Sequence, residues 1–410
     1  DVKWLSKKGV KVEVESSPNR AYKDGEYHRS GAKIVNEVKK ADLIIGIKGP
    51  GPGKVLKDKI YMVFSHTTKG QPQNKPLLKK LVTNKSTLVD YEKITDASGK
   101  RLVYFGKYAG ICGIVDSLFY MGRKLEWEGI DNAFSKLKPS WQYRSFNQLK
   151  KDIVKASEHI HKKGFHKRIA PFIIGITGHG NVSKGVQEIL ELFDPIELHP
   201  RDMRSFINHR EYSRNEIYKV VFLREEKLRA KDGSGFYFEE YLTHPRRFES
   251  NLDKVLPYFN MLIHTSYWDK RYPRLVTKEM IKKLHKDENF RLQFIGDISC
   301  DIKGSIELTC RTKSPAEPVY TYDPGKGRYT DGCEAEGITL FAVDNLPAEL
   351  PKDSSRDFGK MIRDYVYQIS AHGVKDIADH VAIPGEIRKA VVIQKGSLTR
   401  DYSYMKKYIR

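Results

Sequence analysis

The stretch ITGHGNVSKG, Ile176 to Gly185, constrains this chain more than any other. An apolar run, Phe172 to Ile176, precedes it, and an amphipathic run, Val186 to Leu192, follows. Strand, glycine turn and helix in that order is the setting in which a glycine pattern signals dinucleotide binding. Gly178 allows the tight turn. Gly180 lacks a Cβ, so a pyrophosphate can come close to the backbone. Ser183 takes the third position, usually Gly or Ala; it is still small enough for close helix–strand packing, and its hydroxyl can donate to a phosphate. The helix start adds free N–H groups and a positive dipole end. A glycine turn in any α/β domain can mimic the pattern, so the reading rests on its context.

At 410 residues the chain is long enough for two or three domains at about 150 residues each. No apolar run approaches the roughly 18 residues that span a bilayer, so no membrane association is expected. The formal charge is +21. Lys and Arg are spread along the whole chain without a nucleic-acid-binding motif, which favours a solvated basic surface suited to small anions over nucleic-acid binding. Cys112, Cys300, Cys310 and Cys333 form no C-x-x-C pair and have no His at zinc-ligand spacing, so no metal site is expected. Their scatter suggests reduced thiols in an intracellular compartment. Cys112, in an apolar glycine-rich helix, reads as a small core residue.

Short apolar runs alternate with helical stretches in the first 106 residues. Lys11–Glu15, Asp42–Lys48, Ile60–His66, Thr87–Tyr91 and Leu102–Phe105 read as strands, the second and third as buried parallel ones, and Asn74–Thr83 as a helix. A long helix over Tyr108–Trp127 carries small residues, Ala109, Gly110 and Gly113, that let another backbone or a ligand come close. Phe146–His161 is a second helix. The second α/β part then runs through strands near Ile196–His199, Tyr218–Leu223, Met261–Thr265, Leu292–Asp297 and residues 338–343. The charged section Arg224–Glu249 reads as exposed. A helix over Arg356–Ile369 returns to the first domain. The fold class is therefore α/β: two Rossmann-like doubly wound domains with an interdomain cleft. The first, 1–127 completed by 345–410, is discontinuous and serves the substrate; the second, 128–344, binds the dinucleotide.

Ligands of open α/β sheets bind beyond the carboxyl ends of strands. Lys48 closes DLIIGIK and His66 closes IYMVFSH, so neighbouring strand ends would bring an ammonium and an imidazole into one crevice. Such a pair suits proton transfer near neutral pH, particularly if the Lys is buried. Spacing alone favours the plainer account, a solvated Lys48 and a capped strand-end His66. Asp297 closes another strand, where it could orient an amine or bind a nicotinamide or ribose; a turn carboxylate is an equal alternative. An NAD site usually has an acid closing the second strand. Here PIELHPRDMR points Glu197 into the strand and offers His199, Arg201 and Arg204 at its end. This suggests a 2′-phosphate site, hence NADPH in preference to NADH.

Seven ordered blocks carry a resemblance: ADLIIGIK; FSHTTKGQ with NKPLL; LVDYEKITDASGKRLVYFGKYAG; TGHGNVSKGVQE; YWDKRYPRLVT; GDISCDIKGSIE; VDNLPAELPKDSS. Over nearly its whole length the chain resembles the lysine–2-oxoglutarate reductase part of the bifunctional aminoadipic semialdehyde synthases. These belong with the lysine-forming saccharopine dehydrogenases and alanine dehydrogenases. The resemblance implies reductive condensation of L-lysine with 2-oxoglutarate, through a carbinolamine and an imine, to saccharopine with NADPH. It gives the proton shuttling to Lys48 and His66, which reverses the plainer account. It makes Asp297 the cleft aspartate and Asn181, Val182 and Ser183 the phosphate loop. Thr265 and Ser266 would face the nicotinamide.

The chain departs from that pattern in places. It begins at the end of the family's first helix, without the strand whose arginine grips a substrate carboxylate, so weak dicarboxylate binding or inactivity is an expectation. Gly49-Pro50-Gly51-Pro52-Gly53 is more flexible than the family segment, and His179 replaces a usual Thr. No second, glutamate-forming module follows, so such a saccharopine dehydrogenase would be a fused or separate partner. The compartment would be mitochondrial for an animal bifunctional enzyme and cytoplasmic otherwise, and a homo-oligomer stays open. The competing readings are an NAD-dependent lysine-forming saccharopine dehydrogenase and a catalytically degenerate nucleotide-binding regulatory domain.

Overall fold

The computed structural model describes residues 1–372 and 376–409. The chain divides into two units, Asp1–Phe105 with Lys352–Arg410, and Gly106–Pro351. The α/β class and the discontinuous first part are as expected. The crossings fall at Phe105/Gly106 and Pro351/Lys352, so the long helix Gly106–Trp127 goes with the second unit.

In the first unit, β1 (Glu13–Glu15) and β2 (Lys33–Val35) pair in parallel as a small sheet of their own. The strands β3 (Leu43–Lys48), β4 (Ile60–Phe64) and β5 (Thr87–Asp90) run parallel in a second sheet. Helix Lys75–Thr83 leads from β4 to β5 and buries Leu77, Leu78 and Leu81 against Tyr61, Val63 and Leu88. Their i, i+1, i+4 spacing is what an amphipathic helix requires. Two expectations need correction. β3 is an edge strand, and Ile45 and Ile47 are 43% and 51% exposed, so it is not buried. Leu102–Phe105 forms no strand: Val103 is buried, and the Phe105 ring stacks on Phe358 at 4.5 Å. Ring burial, rather than a ladder, accounts for that apolar run.

The second unit holds β6 (Phe172–Thr177), β7 (Ile196–Glu197), β8 (Ile217–Phe222), β9 (Leu228–Ala230), β10 (Phe248–Ser250), β11 (Met261–His264), β12 (Phe294–Asp297), β13 (Val319–Asp323), β14 (Arg328–Asp331) and β15 (Ile338–Phe341). Eight of these make one sheet in the order β14-β13-β15-β12-β11-β6-β8-β7. β13 runs against the other strands, antiparallel to β15 on one side and to β14 on the other, and its hairpin with β14 was missed by sequence reasoning. β9 and β10 form a separate antiparallel pair that buries Leu228, Ala230 and Phe248, so the Arg224–Glu249 section is not simply exposed. The chain finally returns to the first unit with β16 (Val391–Gln394) and β17 (Ser397–Leu398), giving that sheet the order β17-β16-β5-β4-β3.

Alternation along the buried strands builds two cores. Ile174, Ile176, Ile263 and Phe294 pack with Ile111, Val115, Leu118 and Val186 of helices Gly106–Trp127 and Asn181–Leu190. On the opposite face Ile173, Val220, Leu262 and Ile295 meet Leu252, Phe259, Ile281 and Ile306. Each such side chain contributes roughly 1.5–3 kcal/mol when fully buried. The two helices touch backbone to backbone. A Cβ on Gly110 would strike the Val182 carbonyl, and one on Gly185 would strike that of Lys107. The close approach expected of Gly110 is therefore made to the helix that follows the glycine turn.

Candidate functional site

The first unit gathers titratable groups at the carboxyl ends of β3, β4 and β5. Lys48 is the last residue of β3, opposite Phe64 of the neighbouring parallel strand β4. It is exposed, so the burial that would help it exchange a proton is not found. His66 lies two residues past β4 in the left-handed region, at φ 53°. Its carbonyl accepts from Asn74 Nδ2 at 3.0 Å, and its ring stacks near Phe64. Its side chain remains 46% exposed, and Nδ1 lies 3.8 Å from Glu92 Oε2. Glu92 is held in turn by Arg101 at 3.2 Å and lies within the short turn Tyr91–Lys93 after β5. Beneath them Asp90 is fully buried and accepts from Ser65 Oγ and, at 2.9 Å, from Glu92 N–H. Burial raises the Asp90 carboxyl above the usual range despite those donors. The arrangement can pass protons through an accessible imidazole backed by a carboxylate. Glu92 was missed; its signal was an acid just after an apolar strand, in LVDYEK.

In the second unit Gly178 adopts φ +111°, and Gly180 caps helix Asn181–Leu190 with open space where a Cβ would stand. Asn181 and Val182 open that helix half-buried, while Ser183 is fully buried and accepts from Gln187 Nε2 at 3.0 Å. Ser183 is thus packed inside the unit. Thr265 and Ser266 do lie against the turn: both hydroxyls donate to the Thr177 carbonyl, at 2.7 and 2.9 Å. A Cβ on Gly178 would come within 2.9 Å of Ser266 Oγ. Between β6 and β11 the connections reverse direction, which is where α/β sheets open a crevice.

Thr177, His264 and Asp297 stand in register on β6, β11 and β12. Asp297 is buried, and its oxygens accept from Ser299 Oγ, Cys300 N–H and Thr309 Oγ1 at 2.8, 3.1 and 2.6 Å. Burial pushes its carboxyl up to about 6 against those donors. In this geometry it organises the turn after β12. His264, fully buried, shares a 2.6 Å hydrogen bond between Nδ1 and Thr177 Oγ1, while Nε2 has no partner among the described residues. Burial, with the charge of Lys227 adding, lowers the imidazole to about 3 and keeps it neutral. Lys227 is buried too, and its ammonium donates to Ser266 Oγ. Sequence reasoning missed both. His264 was visible as the polar end of an apolar run, whereas one Lys in a charged stretch gives no signal.

Strand order bears on the expected phosphate reader. β8, not β7, is the neighbour of β6, and the Phe222 carbonyl at the end of β8 accepts from Gly178 N–H at 3.2 Å. Arg201 and Arg204 follow β7, one strand further out; both are exposed, and neither guanidinium has an ion pair among the described residues. Glu197 is engaged by Lys219 at 2.8 Å. The turn after β8 carries Arg224, whose guanidinium lies over the Phe238 ring, and Lys227. The open Gly180 backbone, the Gly178 turn and these cations fit a pyridine dinucleotide. The four cysteines are free, and no helix among the described residues is long and apolar enough to cross a membrane.

Residues 1–112 match the alanine dehydrogenase/PNT N-terminal domain and residues 219–401 its C-terminal domain. An alpha-aminoadipic semialdehyde synthase of Arabidopsis thaliana is 32% identical over 96% of the chain and 38% of its own length. The mitochondrial one of Mus musculus is 31% identical over 99% of the chain and 45% of its own length. The chain thus spans less than half of these relatives. A saccharopine dehydrogenase [NAD(+), L-lysine-forming] of Candida glabrata is 31% identical over 92% of the chain and 88% of its own length. Among solved structures an L-alanine dehydrogenase superposes with a TM-score of 0.60 at 16% identity, covering 100% of this chain and 94% of that one, a likeness of fold.

Proposed function

Because the chain belongs to the family of the alanine dehydrogenases and lysine-forming saccharopine dehydrogenases, we propose that it is an NADPH-dependent lysine–2-oxoglutarate reductase. It joins the ε-amine of L-lysine to the ketone of 2-oxoglutarate and reduces the product to saccharopine. The observation that carries this reading is the placement of Lys48 and His66 at the ends of adjacent parallel strands, with Glu92 behind the imidazole. The ammonium of free lysine must lose a proton before attack, and the carbinolamine hydroxyl must gain one to leave as water. His66 and Lys48 exchange those protons, and Glu92 stabilises the imidazolium while His66 holds its share. The bound cofactor supplies hydride to the imine carbon. The first unit supplies the acid–base groups and the substrate; the second holds the nucleotide through Gly178, Gly180, Asn181, Val182, Ser183, Thr265 and Ser266. Asp297 fixes the loop after β12 beside that site. For the 2′-phosphate, Arg224 after β8 competes with Arg201 and Arg204 after β7. A glutamate-forming saccharopine dehydrogenase, fused or separate, would consume the product. The compartment is mitochondrial if the chain comes from an animal bifunctional enzyme, as the animal relatives are named, and cytoplasmic otherwise.

NADPH oxidation followed at 340 nm, with lysine and 2-oxoglutarate together and with each omitted, tests the reading. Oxidation that needs both substrates is expected. Nucleotide binding without oxidation would instead support a catalytically degenerate domain. The second reading is the NAD-dependent, lysine-forming reaction. Glu225, exposed in the turn after β8, favours it, because a carboxylate there suits a free ribose hydroxyl. Equal efficiency with NADH would decide for it.

A further inference from the structure

A buried cation normally has a carboxylate partner, because desolvating a charge costs several kcal/mol unless something compensates it. Buried Lys219 follows the rule, with Glu191 and Glu197 at 2.5 and 2.8 Å. Lys124, also buried, has Glu128 at 3.4 Å. Lys227 does not. Its side chain is buried, yet no carboxylate of the described residues lies within ion-pair distance. Among the described residues its ammonium donates to Ser266 Oγ, a neutral group that itself donates to the Thr177 carbonyl. The charge that acts on it is the like charge of Arg224.

The position explains what is missing. Lys227 leaves the end of β8, the strand whose last carbonyl binds Gly178 N–H, and reaches over β6 to Ser266 beyond the end of β11. Its ammonium therefore sits at the glycine turn, on the side where the sheet reverses direction. A second open valence lies close by, the unpartnered and fully buried Nε2 of His264. We propose that Lys227 is a phosphate-binding residue of the dinucleotide site and that a phosphate of the cofactor is its absent counter-ion. This inference rests on the dinucleotide reading of the Gly178 turn. Burial, reinforced by Arg224, brings the ammonium down to about 8, so at pH 7 it keeps its charge and is poised to gain from an anion. The Arg224 guanidinium is the charged group that acts on it, and its own charge acts in turn on the neutral His264 imidazole.

Calorimetric titration of the whole chain with NADH, NADPH and ADP-ribose decides the matter. In Lys227→Met, affinity falls roughly ten- to a hundredfold, the scale of one charge-assisted hydrogen bond. Lys227→Arg retains most of it. If all three ligands weaken alike, the counter-ion is the pyrophosphate; if NADPH alone weakens, it is the 2′-phosphate. Wild-type affinity of Lys227→Met for all three ligands would overturn the proposal. So would a loss confined to NADH and NADPH in equal measure with ADP-ribose unaffected, since that places the contact on the nicotinamide. Should Lys227→Met fail to melt cooperatively, Lys227→Gln, which keeps a donor but loses the charge, is read in its place. A wild-type chain that binds none of the three ligands removes the dinucleotide reading itself, and this assignment with it.

Discussion

Each unit has a histidine at or just past the carboxyl end of a parallel strand, and the two have opposite surroundings. His66 is nearly half exposed beside an acidic partner. His264 is sealed, neutral, and beside a cation. The same side chain at the same kind of position is in one case available to exchange protons and in the other deprived of them. Asp90 and Asp297 repeat the lesson from the acidic side, since both are buried and hydrogen-bonded and neither faces water. Position at a strand end nominates a residue for chemistry; exposure and partners decide between reaction and support.

The contrast can be broken most directly in the first unit. Lys48→Met and His66→Gln should each lower turnover by about 10²–10⁴ while NADPH affinity stays within about twofold. Steady-state rates beside a fluorescence titration measure both, and wild-type turnover in either variant would remove that residue from the mechanism. Gly178→Ala should do the reverse. Its φ of +111° and the nearby Ser266 hydroxyl leave no room for a methyl group, so dinucleotide affinity should drop about tenfold or more. An unchanged dissociation constant would separate the turn from the nucleotide. A smaller effect sharpens the picture within the second unit. Arg224→Ala should reduce NADPH affinity about tenfold relative to NADH, and Arg201→Ala with Arg204→Ala less than threefold. The opposite ranking would return the 2′-phosphate to the strand further out.

The smallest effect concerns stability. The folded imidazole of His264 lies at about 3, below its unfolded value near 6.5. The unfolded chain therefore takes up a proton first, so stability is fully present above about pH 6.5 and declines as the pH falls toward 3. In His264→Asn this part of the decline should vanish, narrowing the fall in melting temperature over that window by a few degrees. A melting profile as steep as the wild type's would show that other groups carry the acid sensitivity.

How much of this was legible depended on what each residue's signal records. The glycine turn, the helices and most parallel strands were written in local periodicity, and Cys112 is buried as its setting implied. Ile45 and Ile47 misled because an apolar strand does not reveal whether a neighbour covers it; β3 lies at an edge. The order of β7 and β8 was hidden for the same reason, since chain order suggested that PIELHP pairs with β6. Lys48 and His66 were found as strand ends. Glu92 and Lys227 were not, because each acquires its meaning only from residues distant in sequence, His66 in one case and Ser266 in the other.

The discontinuity of the first unit has a consequence for the chain's birth. β5 ends at Asp90, and β16, its partner on one side, begins at Val391, roughly 300 residues later. At about 5–20 residues per second a ribosome takes on the order of 15–60 s to make that interval. Throughout it Val89 and its neighbours have an open backbone edge, while all of Gly106–Pro351 emerges and can close its own sheet. Of the two units, the one begun earlier is thus the one finished later, and for that interval its unpaired edge is the place a chaperone would be needed.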